Sequence, residues 1–202
     1  MQTTSESLRP PRLKIEVAFA RLRHNDKQMF LLDGGTGEEL FRRSVPDDRK
    51  LWSATALVHP QYHKILEDVH NSFLQSGSNA ITTNSYGVVP GLGFDEHQMS
   101  KYIDQSGKIA RSSTQKHNLH SPLPTFIFGS LGPLVESYRP DKIMPHDEGV
   151  KCYKLACQSL APYADAFIAK TMSCVEESIQ VLDAVASLQD FKSTTDGKGA
   201  IY

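Results

Sequence analysis

Apolar positions along the chain alternate between a compact run and a period near 3.6, and the alternation predicts strand followed by helix four times. Met29 to Leu32 is an apolar run that stops at Asp33-Gly34-Gly35-Thr36-Gly37, the pattern of a buried strand entering a glycine turn. From Pro60 to Gln75 the residues Tyr62, Ile65, Leu66, Val69 and Phe73 fall on one helical face, with Pro60 in the first turn and Gly77 as the stop. Ala80 to Thr83 predicts a second strand, and Met99, Tyr102, Ile103, Ser106 and Ala110 mark the helix after it. Thr125 to Phe128 predicts a third strand ending at Gly129-Ser130-Leu131-Gly132-Pro133, followed by a helix carrying Tyr153, Ala156, Cys157 and Leu160. Ala166 to Ala169 is the fourth, and Ser173 with Glu176 reads as a capping box for a helix bearing Ile179, Leu182, Val185 and Ala186.

Four such units in order predict an α/β fold with a parallel sheet, and ligands of such sheets sit at the C-terminal ends of the strands. Periodicity does not separate an open doubly wound sheet from part of a (β/α)8 barrel, since both are built from the same unit. Around this core, residues 1–26 form an extension with a polar lead and a short amphipathic helix, 27–190 the β/α domain, and 191–202 an unpatterned tail. The extension carries Ile15, Ala18, Phe19 and Leu22 at helical spacing; its basic residues are interrupted by Glu6 and Glu16, a poor match to a transit peptide.

The 202 residues suffice for one sizeable core. The balance of 22 basic against 23 acidic residues leaves no electrostatic footprint for nucleic acid, and no apolar run is long enough to cross a membrane. Cys152, Cys157 and Cys174 are odd in number and clustered late in the chain, which argues against a disulfide framework and for reduced thiols in a cytoplasmic protein. Small-molecule partners are therefore expected.

Among the candidate motifs, Asp33-Gly34-Gly35-Thr36-Gly37 lacks the Gly-Lys-Ser/Thr ending of a P-loop, and Asp33 would repel a phosphate. Two readings stay open: a carboxylate that receives a cationic group such as an amino-acid ammonium, or a tight turn with a capping Asp. His59, His63 and His70 lie on one side of the Pro60 to Gln75 helix; with no cysteine nearby, a solvated flank is preferred to a metal site. Cys157 reads as a buried structural thiol, and Cys174, at a helix start, as the candidate reactive cysteine.

Leu31-Leu32-Asp33-Gly34-Gly35-Thr36-Gly37 resembles the opening of the homocysteine S-methyltransferase family. Trp52-Ser53, the segment Gly77 to Tyr86, Gly129-Ser130-Leu131-Gly132-Pro133, and Lys170-Thr171-Met172 with Glu176-Glu177 follow in that family's order. The resemblance covers about residues 29 to 188 and implies the first half of a (β/α)8 TIM-type barrel. It implies methyl transfer from S-methylmethionine, or a betaine-type donor, to a zinc-bound homocysteine thiolate, making methionine. The resemblance places the substrate-binding positions at Asp33, Gly34, Gly35, Asn84, Ser130 and Lys170, and assigns no catalytic residue.

Two departures from the family bear on activity. Its zinc-binding cysteines belong to the second half of the barrel, and neither Cys152, Cys157 nor Cys174 matches them, so no metal ligand is assigned here. A full barrel typically needs about 250 residues, so the chain is expected to be a truncated form that is inactive alone. Lys170 stands where the family has Glu, inverting the charge offered to a substrate ammonium; it either turns to solvent or pairs with Asp33. The alternative function is a catalytically inactive half-barrel that works as a binding or interaction module. In either case open sheet edges predict a homo-oligomer or association with another chain.

Overall fold

The computed structural model describes residues 30–121 and 125–188. The predicted N-terminal helix, Met29 and the tail lie outside the described residues. The elements run α1 (Thr36–Arg42), α2 (Thr55–Val58), α3 (His63–Gln75), β1 (Ala80–Thr82), α4 (Glu96–Asn118), β2 (Phe126–Leu131), α5 (His146–Leu160), β3 (Ala166–Ala169) and α6 (Val175–Ala186). The strands are parallel in the order β1-β2-β3, with Ala80 beside Phe126 and Phe128 beside Ala166. Mixed α/β architecture with a parallel sheet is therefore observed.

The first predicted strand is reduced to one parallel bridge, Leu32 beside Ala80. Its backbone still joins the sheet, because the Asn79 and Ala80 N–H groups donate to the Leu31 carbonyl. Leu31, however, gives its own N–H to the Asn79 side chain at 2.8 Å in place of a ladder bond. Leu31 and Leu32 are also 46% and 42% exposed, so the run is not the buried strand that its composition suggests.

Strand β2 is longer than predicted and is buried along its whole length, as a central parallel strand is. Its alternation defines two faces. Ile81 and Ile127 pack with Leu74 and Ala110 on the helix side, and a Cβ at Gly129 would meet Phe167 and Leu160 there. Thr82, Phe128 and Ser130 therefore share the opposite face. The start of β3 is pinned twice to β2: the Ile127 N–H donates to the Asp165 carboxylate and the Asp165 N–H to the Ile127 carbonyl, each at 2.8 Å.

Outside the sheet, α3 packs on α4, α4 on α5 and α5 on α6. Helix α4 extends beyond the predicted stripe at both ends, and a capping box sets its start: the Gln98 N–H donates to Asp95 and the Asp95 N–H to Gln98. The predicted Ser173–Glu176 box is not formed. Cys174 is the N-cap of α6 and makes no side-chain capping bond to the helix backbone, and the Ser173 N–H donates instead to the buried Glu177 carboxylate at 2.8 Å. Helices α1 and α2 are too short to show a periodic stripe, and α1 buries only Leu40.

Candidate functional site

Because β1, β2 and β3 run parallel, the segments that follow them gather at one end of the sheet. The first extended segment brings Asp33 there. Its carboxylate accepts the Thr82 N–H at 2.7 Å and the Thr82 hydroxyl at 3.1 and 3.2 Å. Burial raises the pKa of Asp33 above the ordinary carboxylate value, against the lowering pull of the Thr82 bonds and of the Lys170 charge. Asp33 thus joins the two open readings: it ties loop to strand, and it keeps a charge-bearing group at the mouth.

Lys170 follows β3, its N–H bonded to the Leu131 carbonyl at 2.9 Å. The side chain is half-buried, with Nζ 5.7 Å from the centroid of the Tyr86 ring. Burial lowers its pKa, against the raising pull of the Asp33 carboxylate. The next residue, Thr171, has φ of 61°, in the left-handed region, so the turn that aims Lys170 is strained.

Ser130 is fully buried on the same sheet face, and its Oγ has no hydrogen-bond partner. Its backbone is held on both sides, with its N–H donating to the Thr83 hydroxyl and its carbonyl accepting the Ser85 hydroxyl. Asn84 is also buried, and its amide donates to the Ser53 carbonyl at 2.8 Å, tying the β1 loop to the Trp52–Ala54 turn. Gly34 and Gly35 are exposed and lead into α1; a Cβ at Gly34 would fall 2.9 Å from the Phe73 ring, which explains the glycine there. Asp33, Ser130 and Lys170 are brought to one end of one sheet face, while Asn84 and the glycines shape the loops around them.

Thr82 and Tyr86 belong to this constellation and are not among the predicted site residues. The polar run after β1, Thr82-Thr83-Asn84-Ser85-Tyr86, is the signal for them. A separate feature is a cleft of about 280 Å³ lined by Leu40, Phe41, Val45 and Trp52 together with Glu38 and Asp47. Trp52, the chain's single tryptophan, is 52% exposed, has φ of 51°, and donates its indole N–H to the Arg49 carbonyl at 2.8 Å. A strained, exposed aromatic beside acidic groups can hold an organic cation by its ring face.

The histidines divide. His59 is exposed and His63 Nε2 lies 3.0 Å from the Leu57 carbonyl, whereas His70 is completely buried rather than part of a solvated flank. Cys157 is likewise buried in the core, where desolvation raises its pKa; Cys152 is half-buried on α5 and Cys174 half-buried at the start of α6. No group of three His, Cys, Asp or Glu among the described residues could hold a metal ion. The described residues do not fit a zinc site.

The sequence pattern of the homocysteine S-methyltransferase family matches residues 30–196. The chain is 25% identical over 183 residues to homocysteine S-methyltransferase YbgG of Bacillus subtilis, covering 82% of this chain and 56% of that protein. It is 30% identical over 113 residues to homocysteine S-methyltransferase 2 of Zea mays, covering 50% of this chain and 33% of the relative. Among solved structures it resembles the metallated form of the Escherichia coli homocysteine methyltransferase MmuM, with a TM-score of 0.68 and 26% identity over 84% of this chain and 62% of that one. The oxidized form of MmuM gives a TM-score of 0.70 at 25% identity, covering 88% and 62%. The chain thus spans at most about three-fifths of the length of these relatives, and with a match over most of its described residues it belongs to the homocysteine S-methyltransferase family.

Proposed function

We propose that the chain is the first half of a (β/α)8 methyltransferase barrel, contributing the amino-acid-binding mouth for methyl transfer from S-methylmethionine to homocysteine, and that it is inactive alone. The observation that carries this reading is the family match over residues 30–196 together with a half-buried carboxylate, Asp33, at the C-terminal end of a parallel sheet. The Trp52 cleft supports the choice of donor, because a sulfonium methyl group suits an indole face with Glu38 and Asp47 nearby. Homocysteine attacks as its thiolate, and a thiol of pKa about 8.5 is mostly protonated at neutral pH, so the reaction needs a thiol-activating group; among the described residues no cluster of three His, Cys, Asp or Glu could hold a metal for that role. The reduced thiols suit a cytoplasmic location.

A second reading, a silent half-barrel acting as a binding module, is favoured by one observation, the positive charge of Lys170 at the mouth. Metal analysis and a methyl-transfer assay on the purified chain, with zinc supplied, separate active from inactive forms. The expected result is substoichiometric zinc and no methionine formed. One tightly held zinc per chain with turnover would overturn the inactive-alone reading.

A further inference from the structure

The polar groups at the mouth are unequally available. Both Asp33 oxygens already accept bonds from Thr82, and the Lys170 charge, beyond ion-pair contact, lowers the pKa of the same carboxylate. An ammonium entering here meets a carboxylate whose oxygens are already hydrogen-bonded, and a like charge at the same end of the sheet. A carboxylate meets the opposite. Lys170 Nζ lies over the Tyr86 ring, and that ring is itself fixed by a 2.8 Å bond from its hydroxyl to Ser137. Gly132 packs against it so closely that a Cβ would fall 2.8 Å from the ring, so glycine at 132 is what lets the Tyr86 ring sit here. Ser130, one strand over on the same face, carries a buried hydroxyl with no partner, a donor that an anion would satisfy.

We propose that Lys170 sets the ligand polarity of this mouth, serving as an internal counter-ion to Asp33 and presenting its ammonium, with the Ser130 hydroxyl on the same face, to a carboxylate of the ligand. The proposal rests on the amino-acid-site reading above and inverts its polarity: homocysteine enters with its carboxylate toward Lys170, and its amino group is not held by Asp33. The cation preference of the Trp52 cleft is separate, since its lining is aromatic and acidic.

Three thiols distinguish the terms: homocysteine, 4-mercaptobutanoate, which keeps only the carboxylate, and 3-aminopropanethiol, which keeps only the ammonium. Calorimetric titration of the full chain is expected to show 4-mercaptobutanoate binding at least about tenfold tighter than 3-aminopropanethiol. Lys170→Met abolishes that preference and Lys170→Glu reverses it. Equal or tighter binding of 3-aminopropanethiol by the native chain overturns the proposal while leaving the amino-acid site standing, as does an unchanged preference in Lys170→Met. If no thiol binds the native chain or either variant, the amino-acid site and the polarity assignment fall together. Independently of any ligand, NMR titration of the lysine side chains in Asp33→Asn is expected to move one resonance, absent in Lys170→Met, to lower pKa; no movement overturns the internal counter-ion.

Discussion

His70 gives the sharpest test of the packing. It sits on α3 with no exposed surface, and neither ring nitrogen has a hydrogen-bond partner. Burial lowers its pKa from 6.5 to about 4, against a small opposing pull from Glu67. Between those values the unfolded chain binds a proton that the native chain does not, so stability falls as pH drops from 6.5 toward 4. At about 1.4 kcal/mol per tenfold, the full penalty is on the order of 3 kcal/mol. His70→Leu removes it, and also relieves the neutral ring of its unmet bonds, which cost about 1–3 kcal/mol when buried. Urea unfolding of both proteins from pH 7.5 to 4.5 provides the assay. Carboxylates common to both and distant from residue 70 cancel in the difference, leaving only the small coupling of His70 to Glu67. The variant is expected to be the more stable at every pH, with the gap widening by about 2–3 kcal/mol on acidification. Parallel curves would refute the burial of an unpartnered His70.

The cap of α6 and the exposed face of that helix give two further expectations. Glu177→Ala should cost about 1–2 kcal/mol in urea unfolding because it strands the Ser173 N–H, whereas Glu176→Ala should change stability by less than about 0.5 kcal/mol; the reverse order would restore the predicted capping box. Val175, Ile179 and Leu182 form an exposed apolar stripe on α6, 69%, 41% and 44% exposed, and β3 beside it ends the described sheet. Light scattering should show a dimer or larger species that Ile179→Lys combined with Leu182→Lys converts to monomer, and a monomeric native chain would exclude association through this face.

The elements read most faithfully from sequence are those with long, one-sided apolar periods. The stripe from Ile65 to Phe73 yields α3, and Ala166 to Ala169 is β3 residue for residue, because in both the buried face carries the whole signal. Boundaries failed where a single side chain outweighed the pattern. Asp95 and Gln98 start α4 ahead of its first apolar residue, and Asn79 captures the Leu31 N–H that a ladder would otherwise use. At α6 the spacing Ser173 to Glu176 satisfied the capping pattern, yet Glu177, one residue later and buried, takes the bond.

Site residues were legible as strand-end positions but not as partners, because partnership depends on register. Thr82 lies opposite Phe128, which puts Ser130 two residues farther along the same face, and the pairing of Ser130 with Ile168 carries that face on to Lys170. Only this alignment turns four polar residues on separate segments into one mouth. His70 shows the complementary failure: position on a helical wheel placed it at the edge of the apolar stripe, whereas its exposure is set by the elements packed on α3, information that lies in other segments. The same reasoning separates the two open positions of Lys170. A lysine stem can reach solvent from almost any strand end, but Lys170 is half-buried with Nζ over the Tyr86 ring, so its charge is not fully turned to solvent.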